Sequence, residues 1–275
     1  MITFPNCKIN LGLNILRKRE DGFHDLETAF FPVPLTDALE IIITEKKEIE
    51  FAVTGLPAGV NDNNLCIKAY HLLKKDSPKL PFIKMHLHKA IPLGAGLGGG
   101  SADAAFTLEL LNKCFHLNLD KEKLLVYAVQ LGSDCPFFII NKPCIATGRG
   151  EILELVNIDL SQYKILLINP GIHISTAWAF SNIIPSIPAI SIKEIIKQPV
   201  ETWKDDLKND FETPVFNAYP EIKKIKETIY NMGAAYASLS GSGSTVVGLF
   251  KKNAEIVIPS YMQYFYKIIQ PYKAD

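Results

Sequence analysis

Five glycines fall within the seven residues from Gly94 to Gly100, inside the run IPLGAGLGGGSADAAFTLELL. Glycine carries no Cβ, so such a run lets backbone N–H groups turn towards a bound group, and the helix formers that follow offer the positive end of a helix dipole. That combination is an anion cradle suited to phosphate. It takes in Pro92, Leu93, Gly94, Ala95, Gly96, Leu97, Gly98, Gly99, Gly100 and Ser101. No Gly-Lys-Ser/Thr closes it, so it is not the Walker pattern, and the dinucleotide fingerprint also fits poorly. A plain glycine-rich turn is the competing reading, and the crowding of glycines at a helix start favours phosphate. In the N-terminal run PNCKINLGLNI, Lys8 and Asn10 stand two apart, so on a strand they face the same side. His86 and His88 have the same spacing and could hold a metal, but no third ligand is near, and an exposed polar face is the preferred reading.

These residues need elements to hold them. The Ile-rich run Asp37 to Thr44 suits a buried strand, and Ile83 to His88 alternates apolar with polar residues, as a sheet member does. A turn-like cluster over 61–64 leads into an amphipathic helix from Leu65 to Lys75. A helix from Ser101 to Phe115 would be capped by Ser101, and one from Lys121 to Leu131 would stop at a left-handed Gly132. Tyr163 to Asn169 opens a second layer. Several prolines over 184–199 suit an irregular connection or short helices. Glu221 to Tyr230 places Ile222, Ile225 and Ile229 on one helical face and ends at Gly233; Ala234 to Leu239 and Thr245 to Phe250 are strands joined by the turn SGSGS. The mixture predicts a two-domain α+β protein, with domains over 1–155 and 156–275.

With 275 residues, 48% of them hydrophobic, the chain has ample core. Lys and Arg number 29, as do Asp and Glu, so the net charge is +0 and no global field draws the chain to nucleic acid or to an acidic membrane. No apolar run approaches the roughly 20 residues that span a bilayer. The N-terminal stretch lacks the pattern of an export signal, and a cytoplasmic protein is expected. Cys7, Cys66, Cys114, Cys135 and Cys144 are scattered singly and are expected to be reduced packing residues.

The segment PLGAGLGGGSADAA resembles the central motif of the kinases for galactose, homoserine, mevalonate and phosphomevalonate, the GHMP superfamily. PNCKINLGLNI and SLSGSGSTV resemble its N-terminal basic strand and its late glycine turn, so the likeness runs from near residue 5 to near residue 250, in order. Within the superfamily, KINLGLNILRKREDGFHDLET, LGSDCPFF and NPGIHISTAWAF resemble the branch that phosphorylates a cytidyl diphosphate sugar alcohol in the non-mevalonate isoprenoid pathway. The resemblance implies an N-terminal domain like ribosomal protein S5 domain 2, a C-terminal ferredoxin-like domain, and ATP with Mg²⁺ as cofactors. It also pairs Asp134, as the base that takes the alcohol proton, with Lys8, whose ammonium keeps Asp134 ionised and stabilises the developing alkoxide. On their own the two would be read as a turn Asp and an exposed strand Lys.

The resemblance further implies that Asn10 helps to hold the diphosphate or erythritol moiety, that His24 bonds the cytosine edge, that Phe23 and Phe180 stack on its two faces, and that Thr176 lines the same wall. Without the motif both Phe residues would be assigned to the core. Position 23 departs from the commoner Tyr but keeps the stacking face. No residue identifies itself as a Mg²⁺ ligand; Asp103 and Glu212 read as exposed-helix or loop acids. The expected partner is a small-molecule substrate, with no nucleic acid and no membrane, and the expected assembly is a monomer or a homodimer. Another GHMP kinase, acting on mevalonate or homoserine, would have no reason to carry DGFH. A catalytically inactive nucleotide-binding relative would not need both Lys8 and Asp134.

Overall fold

The computed structural model describes residues 1–57 and 63–271, so the first half of the turn expected over 61–64 lies outside the described residues. Its contacts gather into two compact units that interleave along the chain. One is formed by Met1–Cys7, Leu35–Leu93 and Gly98–Lys142, the other by Lys8–Pro34, Gly94–Leu97 and the chain from Pro143 onwards. The expected cut between residues 155 and 156 passes inside the second unit, because N-terminal strands there share a sheet with the strands over 144–155.

The first unit holds a four-stranded sheet of β1 (Ile2–Thr3), β4 (Ala38–Ile43), β6 (Ile83–Lys89) and β5 (Glu50–Gly55), in that order. Along β6, Ile83, Met85 and Leu87 are buried while Lys84 and His88 face solvent, so period-two alternation gives one wet face and one packed face. The strand over 38–43 is only half-buried, because Ile42 and Ile43 are exposed at its end. Helix α2 (Gly99–Cys114) packs on β1 and β4 and is flanked by α1 (Leu65–Asp76), α3 (Lys121–Leu131) and α4 (Cys135–Ile140).

Two helix ends differ from expectation. Helix α2 starts two residues before Ser101, because Gly98 takes the left-handed conformation (φ 69°) as N-cap and no side chain caps the helix. Gly132 does end α3, but with φ 168°, an extended backbone that needs no glycine. By contrast Asn64 caps α1 through its side chain, as the cluster before that helix suggested.

The second unit carries two sheets. One runs β2 (Asn6–Lys18), β3 (His24–Thr36), β7 (Cys144–Thr147), β8 (Ile152–Leu155); the other runs β10 (Tyr236–Leu239), β11 (Val246–Lys251), β9 (Tyr163–Asn169), β12 (Phe265–Ile269), all antiparallel. Leu166, Ile168, Val246 and Phe250 from that second sheet share a core with Ile222, Ile225 and Ile229 of α9 (Pro220–Asn231). Four shorter helices complete the unit: α5 (Thr176–Ser181), α6 (Ile192–Ile195), α7 (Trp203–Asp206) and α8 (Glu212–Ala218). The proline-bearing stretch over 184–199 is irregular apart from α6.

Candidate active site

Three segments distant in sequence meet in the second unit. The Lys8 N–H donates to the Leu97 carbonyl at 3.0 Å, and the Thr245 N–H donates to the Ala95 carbonyl at 3.1 Å. Ser240 Oγ donates to the Gly96 carbonyl at 2.9 Å and accepts from the Asn10 N–H at 3.2 Å. The approach is close enough to exclude a side chain: a Cβ on Gly96, whose φ is 79°, would lie 1.9 Å from the Ser240 carbonyl oxygen. Strand β2, the first half of the glycine loop and the SGSGS turn are therefore one hydrogen-bonded assembly.

On β2, Lys8 and Asn10 do face the same side, and both are buried rather than exposed. The Lys8 ammonium donates to Asn10 Oδ1 at 2.6 Å and lies 4.7 Å from the Phe30 ring centroid. Asn10 Nδ2 donates to Thr28 Oγ1 at 2.9 Å, and the Thr28 hydroxyl donates to the Gly12 carbonyl at 2.6 Å. The Asn10 amide is thus engaged at both ends by the protein, which fixes the direction of the Lys8 ammonium.

The DGFH run forms the turn between β2 and β3. The Arg19 N–H donates to the Phe23 carbonyl, Asp21 Oδ1 accepts from the Phe23 N–H at 3.1 Å, and Gly22 sits at φ 84°. The turn presents Phe23, 51% exposed, with the Arg149 guanidinium 4.8 Å from its ring centroid. The core assignment for Phe23 therefore fails. His24 lies stacked on Phe180, with centroids 4.9 Å apart and planes 23° apart, and Phe180 meets Phe211 edge-on. The ring stacked on Phe180 is thus His24, whereas Phe23 pairs with Arg149. Burial lowers the His24 pKa below its ordinary value, with the nearby Lys18 charge adding to the effect, so the neutral imidazole is favoured. Thr176 begins α5, and its hydroxyl is 3.4 Å from Ser242 Oγ of the SGSGS turn.

The second half of the loop and Asp134 belong to the first unit. Gly94, Gly96 and Gly98 all have positive φ, so every second residue is left-handed up to the start of α2. Asp134 precedes α4, whose first turn contains Pro136, and is half-buried.

Two family descriptions match the chain: "GHMP kinases N terminal domain" over residues 64–142 and "GHMP kinases C terminal" over 191–267. A protein of Bacteroides fragilis named 4-diphosphocytidyl-2-C-methyl-D-erythritol kinase is 52% identical over 259 residues, 93% of this chain and 94% of that one. The chain belongs to the GHMP kinases. The crystal structure of a 4-(cytidine 5'-diphospho)-2C-methyl-D-erythritol kinase superposes with a TM-score of 0.78 at 30% identity, covering 90% of each chain. The mevalonate kinase of Methanococcus jannaschii shares the fold, with a TM-score of 0.74 at 15% identity over 99% of this chain and 98% of its own.

In this GHMP kinase several supporting residues gave no signal in the sequence. Asn209 Nδ2 donates to the carbonyls of Leu239 and Gly241 at 2.8 and 2.9 Å, and so shapes the SGSGS turn from a polar stretch without a recognisable motif. Asn169 Nδ2 reaches Ser244 Oγ and Thr245 Oγ1 at 3.2 and 3.0 Å. Thr28 reads in sequence as an ordinary strand residue.

Neither acid considered for Mg²⁺ is available. Glu212 accepts from Ser238 Oγ, the Leu239 N–H and Lys226. Asp103 is buried, not exposed, and is bonded to Lys89. Among the described residues no three His, Cys, Asp or Glu side chains are placed to hold a metal ion, and between His86 and His88 lies the Thr54 hydroxyl, 3.0 Å from a nitrogen of each ring. No helix among them is long and apolar enough to cross a membrane.

Proposed function

We propose that the chain transfers the γ-phosphoryl group of ATP to the 2-hydroxyl of 4-diphosphocytidyl-2-C-methyl-D-erythritol, in the non-mevalonate supply of isoprenoid precursors. The observation that carries the reading is the hydrogen-bonded meeting of Lys8, Gly96 and Ser240, which joins the three segments that mark a GHMP kinase. The substrate class follows from the 52% identical relative and from the DGFH turn.

Phosphoryl transfer asks the protein for alignment and charge stabilisation more than for covalent chemistry. The backbone N–H groups of the loop from Gly94 to Ser101 and the start of α2 receive the phosphates. Asp134 takes the proton as the 2-hydroxyl oxygen forms its bond to the γ-phosphorus and the bond to ADP breaks. The Lys8 ammonium, aimed by Asn10 and Thr28, stabilises the negative oxygen. Phe23 offers its exposed ring face to the cytosine, His24 bonds the base edge as a neutral imidazole, Phe180 sets the plane of His24, and Thr176 lines the wall. Mg²⁺ bound with ATP would offset phosphate charge, and water with the oxygens of the phosphates would supply most of its shell.

The test is a panel in which ATP and Mg²⁺ are given with the cytidyl substrate, mevalonate, homoserine and galactose separately, and ADP release is followed. Fast turnover with the cytidyl substrate alone is expected. Equal or faster turnover of mevalonate or homoserine would sink the substrate assignment while leaving the kinase reading intact.

A further inference from the structure

A buried cluster lies under the second half of the loop, and the chemistry above does not use it. Lys89 ends β6, Asp37 links β3 to β4, and Asp103 stands one turn into α2; each is at most 3% exposed. The Lys89 ammonium donates to Asp37 Oδ2 and, at 2.7 Å, to Asp103 Oδ2. Asp37 Oδ1 accepts the N–H groups of Ala90 and Ile91 at 2.6 and 2.9 Å, the first two residues beyond the strand. Asp103 Oδ1 is buried and has no hydrogen-bond partner.

One carboxylate neutralises one ammonium, and Asp37 already does so while satisfying two backbone donors. A second buried carboxylate costs solvation that a shared ammonium does not return, and its orphan oxygen adds to the cost. What Asp103 contributes is a tie. Residues 89 and 103 bracket the loop, so their bond fixes the strand end that enters it against the helix that leaves it. The tie reaches the loop itself: a Cβ on Gly99 would lie 3.4 Å from Lys89 Nζ and 3.0 Å from Ile91 Cγ2.

We propose that Lys89 and Asp103 are positioning residues for the nucleotide, their bond, anchored by Asp37, holding the loop in its receiving shape before the phosphates arrive. The inference rests on the phosphate reading of the loop. It has an electrostatic consequence. Burial pushes the Asp103 carboxyl up to about 7 against the pull of Lys89, and the Asp37 charge adds to the rise. From α1, Cys66 faces the same cluster as a neutral thiol, its pKa raised by burial. Phosphate at the first turn of α2 places more negative charge beside Asp103, so near neutrality nucleotide binding takes up a proton there.

Calorimetric titration of the full chain with ADP, and separately with the cytidyl substrate, tests this in two variants. Asp103→Leu keeps the branched outline of the side chain at a larger volume, leaves Lys89 paired with Asp37 and strands no charge. It should weaken ADP about ten-fold while the cytidyl substrate stays within about two-fold, since only the loop is misplaced. Asp103→Asn keeps a bond to Lys89, so ADP affinity should hold, but proton uptake, read from buffers of different ionisation enthalpy near pH 7, should vanish. Unchanged ADP affinity in Asp103→Leu, equal weakening of both ligands, or persistent proton uptake in Asp103→Asn overturns the assignment. Failure of the wild-type chain to bind ADP would overturn the phosphate reading and this inference with it.

Discussion

At the scale of single residues, the roles assigned to Asp134 and Phe23 separate chemistry from binding. Asp134→Asn keeps the shape of the turn before α4 and removes only the proton acceptor, so kcat should fall roughly 100-fold or more with nucleotide affinity retained, the usual loss for a positioned base. Steady-state kinetics with ADP titration checks it, and a near-normal kcat would take Asp134 out of the mechanism. Phe23 is half exposed and packs on Arg149 rather than in a core, so Phe23→Ala should leave the melting temperature close to wild type. Base stacking on an aromatic ring contributes about 1 to 3 kcal/mol, so KM for the cytidyl substrate should rise roughly five-fold to 150-fold with kcat little changed. A lowered melting temperature with a normal KM would leave the cytosine without its stacking face. Phe23→Tyr should be almost silent.

At the scale of elements, the glycine loop matters because backbone meets backbone. Gly96 has a positive φ and no room for a Cβ against the Ser240 carbonyl, so Gly96→Val should force the loop and the SGSGS turn apart. Nucleotide affinity measured by calorimetry should drop by at least about ten-fold in a variant whose sheets still form, because the cradle would be displaced by an ångström or more. Intact affinity would mean that this junction does not shape the cradle. Much of this level was legible beforehand. Strand β9 and helix α3 span the residues that periodicity marked, because their signals lie within the element. The three motif segments announced themselves by composition, and their likeness to the superfamily put them together. A serine near a helix start is a common cap, so the sequence points to Ser101 as the start of α2, whereas a left-handed Gly98 sets the first turn. In the sequence Asp103 reads as an exposed acid, because its burial depends on Lys89 and Asp37, fourteen residues away and further, outside its own helix. Thr28 and Asn209 escaped for the same reason: their value lies in which backbone and amide groups the fold brings beside them.

At the scale of the whole molecule, a net charge of +0 leaves the pH response to a few buried groups rather than to general repulsion. Burial pushes the carboxyls of Asp103 and Glu109 up to about 7, from ordinary values of 3.8 and 4.5, and raises Asp210 in the same direction. The native state therefore binds more protons than the unfolded chain between those limits. Their contribution is fully present below the ordinary carboxylate range and is lost as pH rises through about 7. Other groups act outside this window or against it. Asp21 and Asp25, held low by Arg19 and Arg17, lose their contribution only in stronger acid, and His24, held below 6.5, loses its own as pH falls. The melting temperature should therefore decline from about pH 5 to about pH 7, within the interval in which the two raised carboxyls take up protons on folding. Asp103→Asn should flatten part of the decline and Glu109→Gln a further part, nearly additively, because one carboxyl faces Lys89 and the other is raised by burial against the weaker pull of Lys121. Thermal melts of the wild type, the two single variants and the double variant across that interval decide the matter. A wild-type melting temperature that rises with pH, or a slope that neither substitution changes, would show that these two carboxyls already titrate in the ordinary range and that Asp103 shares the Lys89 ammonium as a full anion.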